Sequence, residues 1–182
     1  MFQSDQVGII PPMVSLWTAG WGWVDEGIAT SAPSSSAWPA TNTAYYFPIY
    51  IPTICQAKRM WWVNGATVDA GYNVEAGIYR DAGYKPGAKL ITTGSVAQGT
   101  LDQLQWGEIT DTTLATGLWW LYMSCSSSAA TFFRSLPATY FDESFHFQQA
   151  SIGPGSAPAT ATPVEGAGLY FPLFGFSTTT IT

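Results

Sequence analysis

From Asn73 to Tyr79 the chain alternates, with Val74, Ala76 and Ile78 on one parity and Glu75, Gly77 and Tyr79 on the other. That is the two-residue period of a strand with one buried face. Asp81-Ala82-Gly83 and Lys85-Pro86-Gly87 then supply turn chemistry, and residues 90–93 return as a second β-rich run. The segment reads as a β-hairpin with a long loop, the seed of an all-β domain.

The same pattern recurs along the chain. In 45–54 (YYFPIYIPTI), Phe47, Ile49 and Ile51 share one face, and Tyr46, Tyr50 and Ile54 the other. Pro48 and Pro52 lie four residues apart, so the backbone donors they lack fall on one flank, which predicts a strand paired on one side only. Residues 56–63 (QAKRMWWV) form a further run, closed by the turn dipeptide Asn64-Gly65. A strand is predicted from Leu104, a turn over 111–117, and then the most apolar run, 118–125 (LWWLYMSC). Being apolar on both parities, that run belongs to a strand covered on both faces, or to one whose second face meets a partner. Short strands are expected at 131–134 and 143–150, and a closing strand at 169–176, where Pro172 implies an edge. About eight strands separated by Gly/Pro turns indicate a two-sheet antiparallel sandwich, with a jelly roll preferred and an Ig-like sandwich as the alternative.

Two stretches do not fit a strand grammar. Residues 1–44 are broken by Pro11-Pro12, Gly20, Gly22, Pro33 and Pro39, yet carry Trp17, Trp21, Trp23 and Trp38. Burying one indole is worth roughly 5 kcal/mol, so four of them predict docking, on the chain's own sandwich or on another subunit. Residues 151–168 (SIGPGSAPATATPVEGAG) form a long loop of a kind that is usually functional or partner-bound. The expected organisation is an irregular N-terminal arm over 1–44 and a β-sandwich domain over 45–182.

Composition changes the picture in one respect. Charged residues make up only 10% of the 182 residues and aromatics 15%, with nine tryptophans; a typical charged share is about 25%. So little charge on so aromatic a chain predicts that partner subunits cover part of the surface. The net charge is −6 and only Lys58 and Arg59 are adjacent cations, which excludes a phosphate-binding footprint and hence a nucleic-acid partner. No apolar run approaches the roughly 20 residues of a membrane helix, and the N-terminus lacks the pattern of a signal peptide, so membrane insertion is not expected.

Candidate chemistry is thin. The one histidine, His146, falls opposite Phe145 and Phe147 and is expected on a polar surface. Cys55 and Cys125 have no metal spacing and read as buried thiols, a disulfide being the lesser alternative. Asp69, Asp81, Asp102 and Asp111 read as turn residues rather than calcium ligands. The adjacent carboxylates Asp25-Glu26 and Asp142-Glu143 are the only hint of a glycosidase, and adjacency in a strand sends them to opposite faces. No cofactor, metal or catalytic set is expected, and the chain reads as a non-enzyme. The informative constellation is aromatic: Trp61-Trp62 and Trp119-Trp120 must each place one ring outward if the other is in the core. Outward rings would lie under the N-terminal arm, in a subunit interface, or in an open sugar-stacking platform.

Between Tyr45 and Cys125 the phrasing resembles virion proteins of tailed bacteriophages: Asn64-Gly65-Ala66 after an aromatic strand, then Asn73-Val74 to Gly77-Ile78-Tyr79. Thr93-Gly94-Ser95 follows, and then Thr112-Thr113-Leu114 before Gly117 and a second aromatic strand. Similar phrasing also occurs in bacterial jelly-roll domains. The resemblance implies a structural or adhesive virion component, as tail fibre, head fibre or capsid decoration, and transfers no catalytic residue. Its expected partners are other copies of the chain, as a trimer, and other virion proteins, with a host surface glycan as the alternative partner.

Overall fold

The computed structural model describes residues 21–23, 34–69, 71–135, 146–166 and 171–178. They form an all-β, two-sheet antiparallel sandwich, as the alternation predicts. The strands are β1 (Trp21–Trp23), β2 (Ser34–Ala37), β3 (Thr43–Ile51), β4 (Cys55–Val63), β5 (Asn73–Asp81), β6 (Pro86–Thr92) and β7 (Val96–Ala97). They continue as β8 (Leu104–Leu114), β9 (Gly117–Cys125), β10 (Thr131–Ser135), β11 (Phe147–Gln149), β12 (Val164–Glu165), β13 (Phe171–Pro172) and β14 (Phe174–Ser177).

The large sheet has the order β12-β11-β3-β9-β5-β6, with β7 also paired to β5; the small one has the order β1-β14-β4-β8. A three-stranded sheet, β13-β10-β2, joins β4 through a bridge between Phe132 and Asn64. The β3/β9 ribbon of the large sheet continues into the β4/β8 ribbon of the small one. The crossing points are neighbours, Ile51 opposite Gly117 and Cys55 opposite Leu114.

Strand parity sorts the core. Phe47, Ile49 and Ile51 of β3, Val74, Ala76 and Ile78 of β5, and Trp119, Leu121, Met123 and Cys125 of β9 face inward. They meet Met60 and Trp62 of β4, Leu114 of β8, and Phe174 and Phe176 of β14. β3 pairs with β9 along its whole length but with β11 only over Ala44–Tyr46, so among the described residues its second flank is open from Phe47 onward, where Pro48 stands.

Several expectations are corrected. β5 has both faces buried, not one, because the second face, with Glu75, Gly77 and Tyr79, lies under another part of the chain. Asn64-Gly65 is not a hairpin turn, since β4 pairs with β8 and β14 and not with the next strand. Asn64 is instead a buried tie: its Nδ2 donates to the Thr100 carbonyl at 3.0 Å and to Gln105 Oε1 at 2.9 Å, and its Oδ1 accepts from Gln98 Nε2. The turn expected over 111–117 shrinks to Ala115 and Thr116, because β8 runs on to Leu114 through a bulge opposite Lys58. The closing run divides in two: β13, with Pro172, is an edge of the three-stranded sheet, while β14 lies between β1 and β4.

The boundary drawn at residue 44 also fails for the described part of the arm. β1 and β2 are strands paired to β14 and β10, and Trp38 is 1% exposed in the main core. Its Nε1 donates to the Thr43 carbonyl at 3.1 Å, and its ring meets Tyr45 and Phe132 edge-on. Here the arm docks on its own sandwich.

Candidate functional site

The outer face of the large sheet is built in register rows. Ala44, Ser124 and Glu75 form one row, Tyr46, Tyr122 and Gly77 the next, then Pro48, Trp120 and Tyr79, and finally Tyr50 beside Leu118. Side chains in such rows share a face, with strands about 4.8 Å apart. Tyr46, Tyr79, Trp120, Tyr122 and Phe147 pack with Ala157 and Ala161 into a second, separate apolar cluster. The two alanines belong to the 151–166 loop, which crosses this face as a strap.

The strap is held by polar contacts at each row. The Glu75 carboxylate, 2% exposed, accepts the Gly155 N–H at 2.8 Å and the Tyr122 hydroxyl at 3.3 Å. Tyr79 Oη donates to the Pro158 carbonyl at 2.8 Å, and Lys89 Nζ to the Ala157 carbonyl at 2.8 Å. At the edge strand β6, the Lys89 N–H donates to the Ala159 carbonyl and the Ala161 N–H to that of Gly87. At the other end, Thr162 and Gln149 exchange two hydrogen bonds. A loop expected to serve a partner is therefore docked on its own sheet, where it closes the β6 edge. Burial, foremost, raises the Tyr46, Tyr79 and Tyr122 hydroxyls well above the usual phenol value, and the Glu75 carboxylate adds to it. The phenols are thus neutral donors, and the set works as a fastening.

The tryptophans singled out from the sequence do not make an open platform. Each pair does split across its strand as alternation requires: Trp62 and Trp119 face the main core, Trp120 the strap cluster, and Trp61 the outer face of the small sheet. All four are buried, however, at 3% exposure for Trp61, 0% for Trp62, 7% for Trp119 and 3% for Trp120. Trp120 is covered by the strap and Phe147, an arrangement outside the three weighed from sequence. Trp17 lies outside the described residues. Trp21 and Trp23 form β1, paired with the chain's own β14, and Trp38 is core rather than partner interface. Five of the six tryptophans whose side chains are described are buried within the chain, so aromatic excess alone does not call for a neighbour.

His146 is likewise corrected. It is 1% exposed and stacks on Phe47 at 5.7 Å, because the parity that looks polar in 146–149 is the inward one at this end of the strand. Phe147 points to the strap cluster instead. Cys55 and Cys125 are free thiols, each pushed up to about 11 by burial. Asp69 Oδ1 accepts the Gly71 N–H, as a turn residue does. Asp102 takes a positive φ of 51°, and Asp111 sits in β8, paired to Lys58 at 3.6 Å. Asp25-Glu26 and Asp142-Glu143 lie outside the described residues.

Asp81 has the largest role among residues whose function the sequence left at a turn. Its Oδ1 accepts Trp120 Nε1 at 2.8 Å, and its Oδ2 accepts the N–H groups of Gly83 and Tyr84 at 3.1 and 3.2 Å. It thereby ties the tip of the β5–β6 hairpin to the strap cluster. The Asp-Ala-Gly spelling signalled the turn, and nothing local signalled the bond to a tryptophan 39 residues away.

Among the described residues, large apolar side chains are exposed in two groups and, singly, at Val164 of β12. One follows β8: Leu101, Leu104 and Trp106, the last beneath the Arg59 guanidinium at 5.5 Å, with Arg59 also paired to Glu108 at 2.6 Å. The other is the end of the sandwich where β3, β5 and β9 meet their turns, with Tyr50, Ile54 and Tyr84. Comparison with known proteins returned no matching family model, no similar curated protein and no similar solved structure.

Proposed function

We propose that this chain is a non-enzymatic structural component of a tailed-phage particle, an oligomeric appendage or capsid decoration whose sandwich serves as a rigid block. The observation that carries the reading is the contrast between sheet edges. The strap closes the large sheet at β6, whereas β8, with 11 residues the longest strand among those described, pairs among the described residues only with β4. An open edge strand is a template for another chain, and this one has Leu104 and Trp106 exposed along it. The bulge opposite Lys58 restricts the flat part to its first half, which keeps the contact short and specific. The low charge and the virion-like phrasing from Tyr45 to Cys125 point the same way. The β3/β9 ribbon that folds over into β4/β8 favours the jelly roll among sandwich topologies.

Partners on this reading are copies of the chain, as a trimer, and other virion proteins. Sedimentation velocity of the purified chain tests it. An oligomer that dissociates when Leu104 is replaced by Lys is the expected result; a monomer at every concentration overturns the reading.

A further inference from the structure

The end of the sandwich bearing Tyr50 and Tyr84 is where the aromatic face of the large sheet emerges from beneath the strap. Tyr50 occupies the last row of that face and is 45% exposed. Across β9, Leu118 separates it from the Asp81 end of β5, about 10 Å away at two strand spacings. Tyr84 caps the hairpin three residues on, 82% exposed and with a φ of +64°.

That conformation is costly for a bulky residue, and glycine or asparagine is the ordinary occupant. Gly83, also at positive φ, directly precedes it. The ring itself, at 82% exposure, gains little from packing. The turn is nevertheless fixed, because Asp81 accepts both N–H groups while being held by the buried Trp120 indole. A strained residue held rigidly with its side chain in solvent is a recognition element more readily than a packing one.

The chemistry at this end selects a ligand class. Arg80 and Lys85 are exposed here, and the described ion pairs engage Lys58 and Arg59 rather than these two. Arg80 lies against Trp119 and Lys85 near Phe147, so both cations stand beside rings. The Asp81 carboxylate is already occupied by three donors. A net-acidic chain thus presents two tyrosine rings and the Lys85 cation at one end, with Arg80 on the opposite face of β5 against Trp119. An extended peptide would need an uninterrupted strand edge: the strap occupies β6 at Gly87 and Lys89, and the flank of β3 beside Tyr50 is broken by Pro48, which has no N–H. Flat rings with polar tips suit the faces of sugars, and the Lys85 cation suits carboxylates.

We infer that this end binds an acidic polysaccharide, with sugar faces stacked on Tyr84 and Tyr50 and a ring carboxylate received by Lys85. Titration calorimetry on the full chain tests it with three probes: oligogalacturonate, a maltooligosaccharide, and polyglutamate as an anion without sugar rings. Oligogalacturonate is expected to bind, and Tyr84→Gly to weaken it by about tenfold or more while the melting temperature holds or rises, since glycine relieves the backbone. Lys85→Gln is expected to weaken oligogalacturonate and leave the fold intact. Absence of oligogalacturonate binding overturns the inference. So does equal binding of polyglutamate or maltooligosaccharide, or indifference to Tyr84→Gly. The oligomeric state of Tyr84→Gly is read in parallel: assembly that persists while sugar binding is lost separates this site from the structural role.

Discussion

The carboxylate of Glu75 accepts the Gly155 N–H at 2.8 Å, joining the centre of one sheet face to a loop 80 residues further along the chain. Glu75 is 2% exposed, so its removal leaves the Gly155 N–H short of an acceptor, while the Tyr122 hydroxyl keeps Ser124 Oγ at 2.9 Å. Glu75→Ala is expected to destabilise the chain by about 1–3 kcal/mol in urea denaturation. Hydrogen exchange should accelerate over 151–166 before anywhere else in the large sheet. Unchanged exchange there would mean that the alanines of the strap, not its latch, hold it down.

Gly166 lies against the His146 ring so closely that a Cβ would overlap it, and its N–H donates to the His146 carbonyl at 2.9 Å. Gly166→Ala must therefore displace a fully buried imidazole stacked on Phe47. A loss of about 1–3 kcal/mol is expected from overpacking, measured by thermal and chemical unfolding. Gly83→Ala, at a position with open space and a φ of +72°, should cost less and act only through the backbone.

Alkaline pH should unfold the chain in a defined order of groups. The thiols of Cys55 and Cys125 ionise at 9.0 when unfolded and at about 11 in the fold, because burial disfavours the thiolate. Tyr46, Tyr79 and Tyr122 start from 10.0 and are raised further by burial. In each case the folded value is the higher, so the stability is complete below the unfolded value and is lost as pH rises toward the folded one. The urea midpoint should be flat to about pH 9 and fall beyond it, and phenolate absorbance should show these tyrosines ionising only with unfolding. Phenols that all titrate freely near 10 in the folded chain would contradict the burial described.

On the small sheet, Leu104→Lys adds a charge to the open edge at a side chain 36% exposed. Monomer stability should change by no more than about 0.5 kcal/mol, while sedimentation shifts to the smaller species. Loss of the fold instead of the assembly would show that Leu104 packs within the chain.

Alternation along β3 and β5, with the unbroken apolar run of β9, made the sandwich legible, because each inner-face residue named from parity lies in the core. The second face of β5 was not legible. Glu75 and Tyr79 look like solvent-facing residues, and only a loop 80 residues away makes them buried. His146 misled for a related reason: a polar ring between two phenylalanines reads as outward, but Phe147 had its own buried cluster to fill. The indoles were found and their pairs correctly divided between faces, while the covering of Trp120 came from a Gly/Pro/Ala loop with no hydrophobic signal of its own. Among the candidate ligand-binding residues, Tyr50 was placed on the outer face by parity, whereas the exposure of Tyr84 depends on a backbone conformation that its identity argues against.

The strap also imposes an order on biosynthesis. β3, β5 and β9 are complete once the ribosome has passed Cys125, but their tyrosine-lined face has no lid until Pro158 and Ala161 emerge. A chain cut short before that point would carry a sticky aromatic stripe into the cell. The 151–166 loop thus guards the strands made before it against aggregation.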